Sequence, residues 1–163
     1  ANDDWGVLAG HGTPMRRLIE SGAIDGKNFV QVGLRGYWPP PEVFAWMKEH
    51  GLRWHLMREI EERGAEAVID DAIAEALDGP DAIYLSIDID VLDPAFAPAT
   101  GTPEAGGFTS RELLGILRGL RGVNLVGADI VEVSPAYDHA EITSIAAANV
   151  AYELLSLMAS GSD

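Results

Sequence analysis

Two short, almost unbroken apolar runs constrain this chain most: "AIYLSID" (Ala82 to Asp88) and "NLVGADIVEV" (Asn124 to Val133). A strand with one face in water alternates apolar and polar residues; a continuous apolar strand is covered on both faces. Between the two runs lies "TSREL", in which Thr109 and Glu112 have the spacing of a capping box that opens a helix. A strand, a helix and a second buried strand make the unit that joins parallel strands. The same alternation occupies the first half. "GTPMRRLIESG" predicts a helix with Thr13 as N-cap, Pro14 at its first position and Gly22 as its stop. "NFVQVGLR" and "RWHLM" read as strands, "PPEVFAWMKEHG" as a helix, Glu61 to Leu77 as a helix by its three-four apolar spacing, and Glu141 to Met158 as a final helix. The expected fold class is α/β: a three-layer parallel sheet with helices on both faces.

Composition narrows the function. With 163 residues and 47% hydrophobic residues, the chain suits one globular domain with a sizeable core. It has no Cys, which excludes disulfides, thiolate metal ligands and a Cys nucleophile and fits a cytoplasmic location. No run of about 18 apolar residues is present, so no membrane partner is expected. The 26 acidic residues against 11 basic ones give a net charge of -15. That disfavours nucleic acid, which needs Lys and Arg against its phosphates, and favours the approach of a small cation; it also serves solubility alone.

The first apolar run ends in "DIDVLDP", which gathers Asp88, Asp90 and Asp93. In parallel sheets ligands bind beyond the carboxyl ends of the strands. Read as extended backbone, Asp88 and Asp90 share one face there. Two such carboxylates need a cation between them, or one takes up a proton, and oxygen donors suit Mg or Mn. The plain alternative is that these Asp residues cap turns. An EF-hand loop fails, because counting from Asp88 puts Asp93 where Gly is required and Ala99 where an acid is required. A haloacid-dehalogenase phosphatase site remains an alternative, but its Asp-x-Asp normally opens a domain. Glu132, at the end of the second run, can pair with a guanidinium or act as a surface ion pair. His11, between Gly10 and Gly12, can move protons near neutral pH or be an ordinary loop histidine. His50 suits a helix C-terminus. His55 and His139 have weaker claims, and Tyr37 and Trp38 belong either to a pocket wall, the core or a subunit contact.

"GHGTPMRRLIESG", "SIDIDVLDP", "ATGTPEAGGFTSREL" and "DIVEVSPAYD" together resemble the ureohydrolase (arginase/agmatinase) family, and its agmatinase-like branch more than arginase proper. The resemblance covers nearly the whole chain. It implies a Mn-dependent amidinohydrolase that converts a guanidino compound to urea and an amine, with two Mn2+ per complete site. By similarity, Asp88 bridges both ions, Asp90 binds one, Asp93 shapes the loop, Glu132 holds the guanidinium and His11 shuttles a proton. It also implies a homo-oligomer, a trimer or hexamer.

The resemblance further implies ligands that these residues do not supply: a His in an earlier glycine-rich segment and an Asp-Ala-His-x-Asp stretch. Residues 1–163 are therefore expected to be the C-terminal part of a single arginase-like domain, lacking its N-terminal strands and inactive until that segment is added. The alternative from another class is a non-catalytic ureohydrolase-like subunit or fragment.

Overall fold

A computed structural model of the chain describes residues 6–37 and 39–160. Its elements run α1 (Pro14–Glu20), β1 (Val30–Leu34), α2 (Pro41–Glu49), β2 (Arg53–Leu56), α3 (Met57–Arg63), α4 (Ala65–Ala76), β3 (Ile83–Asp88), α5 (Ser110–Gly119), β4 (Leu125–Val131) and α6 (Ile142–Ser160). All strand pairing between these elements is parallel, but among the described residues it forms two separate pairs, β1 with β2 and β3 with β4.

The local signals mostly act as expected. α5 carries the full capping box: Thr109 Oγ1 accepts the Glu112 N–H at 3.2 Å, and the Glu112 carboxylate accepts the Thr109 N–H at 2.8 Å. α1 starts at Pro14, but Thr13 does not cap it through its side chain. The Thr13 hydroxyl turns back instead, accepting the Gly10 N–H at 2.9 Å, so it orders the preceding turn. The single helix expected from Glu61 to Leu77 is two helices, because Gly64 takes φ 88° between them, a conformation that costs Gly little and other residues much.

The larger core gathers on one face of the β3–β4 pair. Leu85, Ile87, Ala128 and Ile130 point into it and meet Met57, Val68, Leu113, Leu117, Val150 and Leu154. A Val, Leu, Ile or Met side chain contributes about 1.5–3 kcal/mol when fully buried. Period two sends Tyr84 and Ser86 to the opposite face, which is more open: Tyr84 is 60% exposed. A smaller core of Ile19, Val43, Met47 and Leu52 joins α1, α2 and the chain entering β2.

By length and composition alone, the helical stretch His139–Ser160 is apolar enough to cross a bilayer. Here Val150 and Leu154 pack into the core and Arg118 of α5 pairs with Glu153.

Candidate active site

β3 delivers Asp88 at its last position, opposite Val131 of β4. The chain does not continue extended. Residues Ile89–Val91 form a 3₁₀ turn, in which the Asp90 N–H donates to Asp88 Oδ1 at 3.1 Å. The two carboxyls are thus brought together by a turn, not by the two-residue repeat of a strand. Asp88 is pushed up to about 7, chiefly by burial, then by the negative charge of Asp90, with Glu132 adding to it. Two further acidic side chains, Asp90 and Glu132, therefore act on Asp88 at this sheet rim.

The loop after the turn is built around Asp93. Its Oδ1 accepts the Ala95 N–H at 2.9 Å and its Oδ2 accepts the Gly106 N–H at 2.8 Å. Those backbone bonds hold its carboxyl below the ordinary range. Arg35, just past β1, ties the same loop down. Its Nη2 donates to the carbonyls of Asp90 (2.6 Å), Glu104 (2.7 Å) and Leu92 (3.2 Å). Nothing in the spacing of "QVGLRGYW" foretells this clamp, since its partners are backbone oxygens far along the chain.

Glu132 stands one residue past β4, with φ 65°. A positive φ in a non-glycine residue is costly and persists where the surroundings impose it. Here they are the bridge between Thr100 and Val133 and the bond from the Ser134 N–H to the Ala99 carbonyl at 2.9 Å. The same loop touches both acids. Gly101 lies so near Glu132 that a Cβ would meet its Oε2 at 3.4 Å, and Thr102 Oγ1 donates to Asp90 Oδ2 at 3.0 Å. Thr102 is in the conspicuous "TGTP" stretch, but only the fold reveals its partner.

His11 lies in the exposed turn before α1, and no described hydrogen bond joins it to the carboxylates. His50 caps the end of α2: its Nδ1 bonds the Trp46 carbonyl at 2.9 Å and its ring stacks on Trp46. His55 is 7% exposed and sits between Glu59 (3.1 Å) and Glu75 (3.2 Å). His139 is exposed in a turn before α6. Tyr37 is 90% exposed and so is not a core residue, and Trp38 lies outside the described residues. Another acid, Asp129 within β4, accepts the hydroxyls of Tyr84 (2.9 Å) and Ser86 (2.6 Å) on the open sheet face. A groove of about 370 Å³ lies between the loop at Leu92 to Phe96, α5 and α6, but its walls are apolar apart from Ser110 and Asn149 and include none of the carboxylates discussed above.

The donor chemistry at Asp88 and Asp90 fits a hard cation: hard oxygen atoms, partly buried, with burial first and the neighbouring negative charge second raising the Asp88 carboxyl to about 7. The fit is partial. Among the described residues, no three His, Asp or Glu side chains converge as a metal-ligand group.

Comparison with known proteins places these features in a family. The Arginase family profile matches residues 2–156. The chain is 49% identical over 149 residues to the guanidinopropionase of Pseudomonas aeruginosa, covering 91% of this chain and 46% of that protein. It is 40% identical over 156 residues to the agmatinase of Chromobacterium violaceum, covering 96% of this chain and 45% of that protein. The structure of proclavaminate amidinohydrolase from Streptomyces clavuligerus matches with a TM-score of 0.82 at 42% identity, over 93% of this chain and 48% of that one. The chain thus spans about half the length of the relatives it matches.

Proposed function

Because the chain belongs to the arginase family, we propose that it forms part of a Mn-dependent, agmatinase-like amidinohydrolase, which hydrolyses a guanidino compound to urea and an amine. The observation that carries this reading is the acidic rim: Asp88, raised to about 7 by burial, Asp90 and Glu132, at the carboxyl end of β3. A net charge of -15 supports a cationic substrate.

In this reading Asp88 and Asp90 are two of the ligands of the Mn2+ ions. The bound metal supplies a Lewis acid and a water acidic enough to react near neutral pH. Glu132 pairs with the guanidinium, whose planar N–H groups match a carboxylate, and so fixes the carbon to be attacked. Water adds to that carbon, and the bond from carbon to the substituted nitrogen breaks. His11 passes a proton to the departing amine, leaving urea. The donor set among the described residues supports a further point: this chain supplies only part of the metal cage, and the rest comes from a segment outside it. The exposed Tyr84, Val126, Tyr152 and Leu155 support association with further protein.

The test is urea release by the full-length protein, with added Mn2+, from agmatine, 4-guanidinobutyrate and 3-guanidinopropionate. Release from at least one, lost in Asp88→Asn, is the expected result. No urea from any guanidino compound overturns the reading and leaves the non-catalytic alternative.

A further inference from the structure

We propose that Thr143, in the first turn of α6, is a positioning residue for the acidic rim, acting through the loop from Ala99 to Thr102. The proposal rests on the reading that Asp90 and Glu132 belong to the reacting site. Thr143 is fully buried, at 0% exposed, and its Oγ1 accepts the Ala99 N–H at 2.9 Å. Ala99 is itself 1% exposed, so this bond is closed to water and has no solvent substitute.

Both ends of the device are fixed. On the helix side, Asp138 accepts the N–H groups of Thr143 (3.1 Å) and Ser144 (2.7 Å) and the Ser144 hydroxyl (2.7 Å), which sets where α6 begins. On the site side, the loop rooted at Ala99 divides its work. The Ala99 carbonyl and Thr100 hold Ser134 and Val133, the residues directly after Glu132, and so keep Glu132 in its left-handed conformation. Gly101 and Thr102 then run past Glu132 and onto Asp90. A single hydroxyl on a helix that contributes no carboxylate to the rim thereby stands at the root of the segment that touches two of them.

Thr143→Val keeps the side chain's shape and removes the acceptor; Thr143→Ser keeps the acceptor. In the metal-free protein, Thr143→Val is expected to speed amide exchange at Ala99 and Ser134 by about tenfold or more, the scale of a lost buried hydrogen bond. Exchange at Ile87 and Leu117 stays as in the wild type, and the side-chain carboxyl ¹³C signals of Asp90 and Glu132 shift. In the full-length enzyme, kcat for urea release falls by about tenfold with a smaller change in KM, and Thr143→Ser restores every readout. If Thr143→Val does not fold, Thr143→Ala is measured in its place. Unmoved carboxyl signals, exchange that rises uniformly through the core, or loss of kcat that Thr143→Ser does not recover would overturn the assignment. If the wild-type enzyme releases no urea, the amidinohydrolase reading falls, and the carboxyl signals and local exchange still decide whether Thr143 positions this rim.

Discussion

The Arg35 guanidinium, carried just past β1, donates to the Asp90 backbone carbonyl at 2.6 Å and so ties one parallel strand pair to the acidic turn that ends β3 in the other. Its planar fork serves four carbonyls in all, those of Asp90, Leu92, Glu104 and Ala105. A Lys ammonium carries the same charge but has three donors on a single atom and cannot reproduce that geometry. Arg35→Lys is expected to cost about 1–3 kcal/mol, the scale of hydrogen bonds to a charged group. Urea denaturation would read the loss, and an unchanged midpoint would refute the clamp.

Asp88 sets a pH dependence. Its carboxyl moves from an ordinary value of 3.8 to about 7 in the folded chain, chiefly through burial. Between those values the folded state holds a proton that the unfolded state has lost. Stability from this group is therefore full below about 4, falls as pH rises towards 7, and is level above that. Asp88→Asn removes the dependence, so variant and wild type should diverge most above pH 7, with the variant the more stable in the metal-free state. Denaturation midpoints at pH 5 and pH 8 provide the comparison. If Asp88 is a metal ligand as proposed, metal binding has the reverse slope, because a cation competes with that proton; the affinity of the full-length protein for Mn2+ should then strengthen up to about pH 7.

Asp93 has the opposite sign. Backbone N–H groups of Ala95 and Gly106 hold its carboxyl low, so its contribution is present above the ordinary carboxylate range and is lost as pH falls through it. Asp93→Asn keeps one good acceptor and loses the other. The expected effect is faster amide exchange at Ala95 and Gly106 and a lower Tm at pH 7, a difference that shrinks as the pH is lowered. Equal Tm values at pH 7 would show that the loop does not depend on this charge.

Gly107 lies against the backbone of residues 91–93. A Cβ there would lie 2.4 Å from the Asp93 nitrogen and 2.7 Å from the Val91 carbonyl oxygen, neither of which yields as a flexible side chain does. Gly107→Ala is expected to displace Phe108, whose N–H bonds the Val91 carbonyl at 3.0 Å, and to cost about 1–3 kcal/mol as other overpacked sites do. Gly115→Ala, where a Cβ meets nothing within 4 Å, is the matched control and should be neutral or stabilising. Similar midpoints for both variants would contradict the close approach.

Features set by residues close together along the chain were legible before any fold was known. The helix at Thr109 was legible because its capping box needs only residues three apart, and β3 and β4 because near-continuous apolar runs have few other uses. The "DIDVLDP" stretch marked an acidic rim for the same reason: the three carboxylates sit on one short segment. Features that depend on partners distant along the chain were not legible there; the tertiary structure decided them. The two-residue spacing of Asp88 and Asp90 reads as extended backbone, yet packing folds residues 89–91 into a turn. The hold of Arg35 on Asp90, of Thr102 on Asp90 and of Thr143 on Ala99 joins residues separated by 55, 12 and 44 positions. Such bonds leave no period or motif: the partners of Arg35 and Thr143 are a backbone carbonyl and a backbone N–H, which look alike in every residue, and the Thr102 hydroxyl reaches Asp90 only because the fold brings the two side chains together.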